Sequence, residues 1–162
     1  MGYTTSKNEM KTPSPTPLQI SNALRHIYEF CPDAVVGGSI SFIARGLLDR
    51  EPNDIDLFFS VYDLLTRNGL LSCKIDDFGS DTTTDINGQI IQRTSLKIMG
   101  VKVCAFKVDL DYLSHDIITY KGVKIRAQQP YYGIEAKKIY AIKNDKHKKD
   151  LEIILNRNEN TS

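Results

Sequence analysis

Two aspartates one residue apart in an apolar run, Asp54-Ile55-Asp56-Leu57, follow a Gly37-Gly38-Ser39 turn with fourteen residues between. In a strand, residues two apart point to the same face, so the two carboxylates project together, roughly 6.5 Å apart along the backbone. That separation suits a pair of metal ions about 3.5–4 Å apart sharing ligands. Such a pair would hold a nucleoside triphosphate, with the glycines and the serine hydroxyl on its phosphates. A cluster of buried carboxylates is costly without cations to neutralise it.

The elements that must position these groups can be read from the pattern around them. Ala34-Val35-Val36 predicts a short buried strand, and Gly37 and Gly38 permit a sharp turn with close backbone approach. Ser39 is expected to cap the following helix, whose free N–H groups would face a phosphate. Ile40, Ile43, Ala44, Leu47 and Leu48 recur at the helical period, and Pro52-Asn53 breaks the pattern before Asp54 to Phe59 resumes as a strand.

The glycine turn followed by Asp-hydrophobic-Asp resembles the nucleotidyltransferase superfamily typified by DNA polymerase beta, over roughly residues 20–155. The resemblance implies an α+β fold, a mixed β-sheet with helices packed mainly on one face. It implies transfer of a nucleoside monophosphate from a triphosphate to an acceptor hydroxyl, with pyrophosphate leaving, under two Mg²⁺ ions or Mn²⁺. Asp54 and Asp56 would be the first two metal ligands. The family's third carboxylate comes from a later strand, and Val108-Asp109-Leu110 gives Asp109 as the best match, with Asp111 the alternate on the same face. Gly37, Gly38 and Ser39 would bind the phosphates, and Arg45 or Lys138 would neutralise charge on pyrophosphate.

A second likeness, to toxin and abortive-infection nucleotidyltransferases, rests on Ile134 to Ile142 followed by Lys146-His147-Lys148-Lys149-Asp150-Leu151. It implies a nucleotide-site lysine on the first of two helices, Lys138 before Lys137, and matches Arg50 to an arginine ahead of the aspartate pair. Many such relatives carry a further helical domain for substrate, so a partner protein supplying the acceptor site is one expectation. Another is a catalytically silent nucleotide- or protein-binding module, such as half of a toxin–antitoxin pair. Ile40-Ser41-Phe42 replaces the Val-Arg-Asp of the tRNA CCA-adding enzymes, so CCA addition is not expected.

Composition bounds what remains. The 162 residues are 41% hydrophobic and 25% charged, ordinary for one globular domain. No apolar run approaches the ~18 residues of a membrane span and no signal-peptide pattern opens the chain, so a cytoplasmic protein with no membrane partner is expected. Cys31, Cys73 and Cys104 are odd in number and widely spaced, which predicts reduced, buried thiols. No His/Cys spacing suits zinc, and His26, His115 and His147 are expected to be structural. Tyr131 and Tyr132 could stack a base or simply pack.

Net charge is +1, from 21 basic and 20 acidic residues, yet six lysines and His147 oppose only Asp145 between Lys137 and Lys149. That stretch predicts either a solvated helix face or a basic rim meeting the triphosphate or an RNA (tRNA) backbone; the acceptor could equally be a protein side chain or a small molecule. Residues 1–16 read as a disordered leader, 17–157 as the single nucleotidyltransferase domain and 158–162 as a disordered tail. Within the domain, helices are expected from Leu18 to Phe30, after Ser60 as far as Asn68-Gly69, from Tyr132 to Asn144 and from Lys148 to Asn156. Strands are expected over Leu70 to Ile75, Gln89 to Ile98, Val101 to Leu110 and Val123 to Ala127, with a mobile loop from Asp76 to Asn87 and hairpin turns at Met99-Gly100 and Lys121-Gly122.

Overall fold

The computed structural model describes residues 14–161; most of the expected leader, residues 1–13, and Ser162 lie outside the described residues. The fold is mixed α and β. Among the described residues, a seven-stranded mixed sheet carries five helices.

Helix α1, Pro17–Phe30, starts with a capping box in which Thr16 and Gln19 exchange side-chain bonds to each other's backbone N–H, with proline in the first turn. It leads into β1, Val35–Gly37, and α2, Gly38–Ala44. Then come β2, Ile55–Ser60, α3, Leu64–Ser72, β3, Ile75–Thr84, and β4, Ile90–Ile98. Strand β5, Val101–Val108, ends in a 3-10 turn at Leu110–Leu113, before β6, His115–Tyr120, and β7, Val123–Gln128. Helices α4, Pro130–Tyr140, and α5, Asp145–Thr161, complete the described chain. Helix α5 therefore runs through 158–161, where a disordered tail was expected.

The sheet order is β3-β4-β5-β2-β1-β7-β6. The central strand β2 is antiparallel to β1 and parallel to β5, while β1 is parallel to β7. Both expected hairpins form with positive φ at both turn residues, Met99 and Gly100, then Lys121 and Gly122, the geometry that matches strand twist.

Alternation along β2 divides its residues between two environments. Ile55, Leu57 and Phe59 join Val103 and Ala105 of β5 in the main core, against Ile20, Leu24 and Ile27 of α1 and Leu70 of α3. Asp56 and Phe58 take the opposite face. A smaller core of Phe42, Leu47, Leu48, Ile134 and Ile154 binds α2 to α4 and α5.

Several expectations need correction. The segment read as a mobile loop after Asp76 is strand β3, an edge strand exposed almost throughout, paired to β4 and fixed by an Asp81–Arg93 ion pair at opposed positions. Its polar composition reflects an edge in water. Gly69 does not stop a helix, and no strand begins at Leu70: α3 starts at an Asp63 cap and passes through Gly69 to Ser72. A Cβ at Gly69 would collide with the Phe30 carbonyl oxygen, so the glycine serves close helix approach. Ser60, expected to cap this helix, instead accepts the Tyr62 N–H.

Candidate functional site

On the sheet face away from the main core, a cavity of about 310 Å³ has Gly38, Ser39, Asp54 and Asp56 in its wall. Strand β1 places the glycines: Gly37 pairs with Asp56 across the antiparallel β1–β2 ladder. Gly38 has φ +60, and a Cβ on it would collide with Asp56 Oδ2. Turn and carboxylate thus fit together only because the residue is glycine. Helix α2 begins at Gly38 with Gly37 at the N-cap position and no side-chain cap, so Ser39 sits inside the first turn and does not cap it as expected.

Burial, then the neighbouring charge of Asp54, pushes the Asp56 carboxyl up to about 7, with Lys137 and Lys102 pulling the other way. The partner of Asp56 on parallel β5 is Cys104. Burial and the Asp56 charge push this thiol up, so it remains neutral.

Asp109 is not brought to the pair. The register sets Cys104 opposite Asp56 and Val108 opposite Ser60, and Asp109 follows as an exposed residue at the head of the 3-10 turn. Five residue steps of extended chain separate it from Cys104, about 16 Å. Asp111 lies exposed inside that turn. The hydrophobic-Asp-hydrophobic pattern misled because β5 ends at Val108 and Leu110 is 65% exposed. Among the described residues, no group of three His, Cys, Asp or Glu side chains is arranged to hold a metal ion.

The basic residues also redistribute. Lys138 is exposed and pairs with Glu135, whereas Lys137, the expected second choice, is buried in the cavity wall. Lys137 Nζ lies 3.2 Å from Asp150 Oδ2 and 3.3 Å from His147 Nδ1. Arg50 grips the same carboxylate through Nε and Nη2, at 3.1 and 2.8 Å, and also lines the cavity. Burial opposes ionisation of Asp150, but the Arg50 bonds and the Lys137 charge hold its carboxyl below the usual range. Burial pulls Lys137 down against the attraction of Asp150, and burial with the Lys137 charge lowers His147.

Arg45 turns away from the cavity. It donates to the Ala127 and Gln128 carbonyls at 3.0 and 3.2 Å and pairs with Asp116, tying the end of α2 to β6 and β7.

The other half of the cavity is largely apolar. Phe58 and Phe106 stack at 5.2 Å between centroids, and Tyr112 lies 4.7 Å from Tyr132. Tyr132 therefore lines the site while Tyr131 is exposed. Phe58 was legible by its two-residue spacing from Asp56; Tyr112, Asp85 and Gln128 carried no local signal and are assembled by the fold. Asp150 was present in sequence as part of Lys149-Asp150-Leu151, and His147, expected to be structural, lines the cavity.

Comparison of the chain with protein-family models, curated proteins and solved structures finds no match. No helix among the described residues is long and apolar enough to cross a membrane.

Proposed function

We propose that the cavity binds a nucleoside triphosphate and that the chain transfers its nucleoside monophosphate to an acceptor hydroxyl, as a nucleotidyltransferase of the polymerase beta type. The carrying observation is the close fit of the Gly38 turn against the Asp56 carboxyl, beside Asp54, at the wall of a cavity that also contains Lys137 and Arg50. An extended triphosphate running past the glycine turn would meet backbone on one side and carboxylates on the other.

The donor set fits one Mg²⁺ better than two fixed ions. Magnesium is commonly held by one or two carboxylates, water and the substrate's own phosphates, and Asp54 and Asp56 offer two carboxylates. Bound there, the ion would neutralise phosphate charge and favour attack at the α-phosphorus. Gly38 and Ser39 would orient the β- and γ-phosphates. Lys137, buried and held by Asp150, would present positive charge to the departing pyrophosphate. With Asp54 and Asp56 committed to the ion as carboxylates, the acceptor hydroxyl's proton would leave to water as the hydroxyl attacks.

Cys104 favours a second reading. A neutral thiol opposite Asp56 supplies no third carboxylate, which suits a module that binds the nucleotide without turning it over. The two readings part on one measurement: Mg²⁺-dependent NTP binding, followed by pyrophosphate release with RNA, protein and small-molecule acceptors. Transfer requires release that stops in Asp54→Asn and Asp56→Asn. Binding that disappears in those variants without release in the wild type selects the silent module, and binding unchanged in both variants removes the site.

A further inference from the structure

The cavity continues past the aspartates, and its far end sets aromatic rings beside polar side chains. Strand β2 carries the floor from Asp56 through Phe58 to the level of Ser60, where Val108 of β5 pairs with it and also lines the cavity. Four residues of strand span about 13 Å. With the triphosphate at Gly38 and Asp56, as proposed above, the sugar and base would lie over the Phe58–Phe106 stack.

Tyr112 and Asp85 close that end. Tyr112 is 6% exposed, and its hydroxyl is buried without a hydrogen-bond partner. Burial, then the charge of Asp85, pushes the phenol up to about 12, so it stays protonated and can only gain by donating. Asp85 is 9% exposed and shapes the β3–β4 turn, accepting the Asn87 and Gln89 N–H groups, both on Oδ1. Oδ2 carries neither of these turn bonds, and the Asp85 carboxyl lies near the Tyr112 hydroxyl without a hydrogen bond of good geometry joining the two. An unsatisfied buried donor is costly, and a neighbouring acceptor makes a two-point reader. Recognition by stacking on aromatic rings plus hydrogen bonds to a Watson–Crick edge is a general solution for a nucleobase.

We propose that Tyr112 and Asp85 recognise the base of the bound nucleotide, and that this base is a purine. Tyr112 O–H would donate to a ring nitrogen or carbonyl acceptor, and Asp85 Oδ2 would accept from the adjacent N–H. Adenine and guanine both offer that pair, at the edge of two fused rings that extend further from the sugar than a single ring does. A pyrimidine offers a similar pair on a single ring whose edge lies closer to the sugar.

The inference rests on the triphosphate reading, so the test separates them. Affinities of the full-length protein are measured with Mg²⁺ for ATP, GTP, CTP, UTP and inorganic tripolyphosphate, which has no base. At least one purine triphosphate should bind about tenfold or more tighter than both pyrimidines. Tyr112→Phe, which keeps the ring, should weaken the purine about tenfold and leave tripolyphosphate unchanged. Asp85→Asn keeps Oδ1 for the turn and turns the Oδ2 acceptor into a donor, so it should do the same, and it decides the matter if Tyr112→Phe does not fold. Equal affinity for all four triphosphates, or variants that weaken tripolyphosphate as much as ATP and GTP, overturns base recognition and leaves the triphosphate site standing. If neither triphosphates nor tripolyphosphate bind, the triphosphate reading falls and takes this inference with it.

Discussion

Asp56 sits against Gly38, beside Asp54 and opposite Cys104, and each neighbour has a measurable consequence. With its carboxyl at about 7 in the folded protein and 3.8 as its ordinary value, the native state holds a proton that the unfolded chain has already released between those limits. The stabilisation from that proton is complete below the ordinary value and is lost as pH rises through about 7, with a slope of up to about 1.4 kcal/mol per pH unit. Metal-free wild type should therefore melt at lower temperature at pH 8 than at pH 5 by more than Asp56→Asn does; parallel pH profiles would remove the strain assigned to this carboxyl. Cys104→Asp places a carboxylate opposite Asp56 and should tighten Mg²⁺ binding while lowering the melting temperature without metal, since three like charges then crowd one face. Isothermal titration of both proteins with Mg²⁺ checks it, and unchanged affinity would mean that position 104 does not face the ion. The glycine turn and the aspartate pair were legible because both depend on residues close in sequence. The identity of residue 104 as the neighbour was not, because a parallel register joins strands that no short turn connects.

Helices α4 and α5 show how a paired element selects between adjacent lysines. Lys137 and Lys138 look alike in sequence, but the helical rotation between them turns one into the cavity and the other into water. Lys137→Ala should cost about 3 kcal/mol, because removing one cation leaves the buried Asp150 carboxylate only partly compensated by Arg50. Lys138→Ala should cost less than about 0.5 kcal/mol, as exposed pairs one turn apart do. Urea denaturation of the two variants compares them directly, and equal losses would contradict the burial of Lys137. Helix α3 carries the same lesson for packing. Gly69→Ala raises helix propensity yet should destabilise by about 1–3 kcal/mol, since the added methyl meets the Phe30 carbonyl and α3 must shift. Local rules read Gly69 as a stop and the polar β3 as a loop; in both cases the deciding partner, the end of α1 or strand β4, is distant in sequence. Elements whose partners are adjacent, such as the hairpins at Met99-Gly100 and Lys121-Gly122, were legible because turn chemistry alone specifies them.

Across the whole molecule charge is nearly balanced, +1 overall, so any attraction for a polyanion must come from its distribution. Lys143, Lys146, Lys148 and Lys149 are all exposed on or just before α5, and Lys146 also lines the cavity beside His147. The cavity mouth and this basic helix are thus contiguous through Lys146, the arrangement an RNA acceptor would need to bring its terminal hydroxyl to the nucleotide. Lys146 must be left intact in a test of the acceptor, because its loss would alter the wall of the proposed nucleotide cavity as well. Neutralising Lys143, Lys148 and Lys149 together should raise the dissociation constant for single-stranded RNA and flatten its salt dependence by roughly 0.7 for every RNA phosphate that a lysine no longer neutralises. Mg²⁺-dependent NTP binding should stay the same, since these three side chains lie outside the cavity wall. If the acceptor is instead a protein side chain or a small molecule, the triple variant should turn over at the wild-type rate on that acceptor. An unchanged salt slope with unchanged turnover on RNA would show that the lysines only solvate the helix, and nucleic acid would leave the set of acceptors.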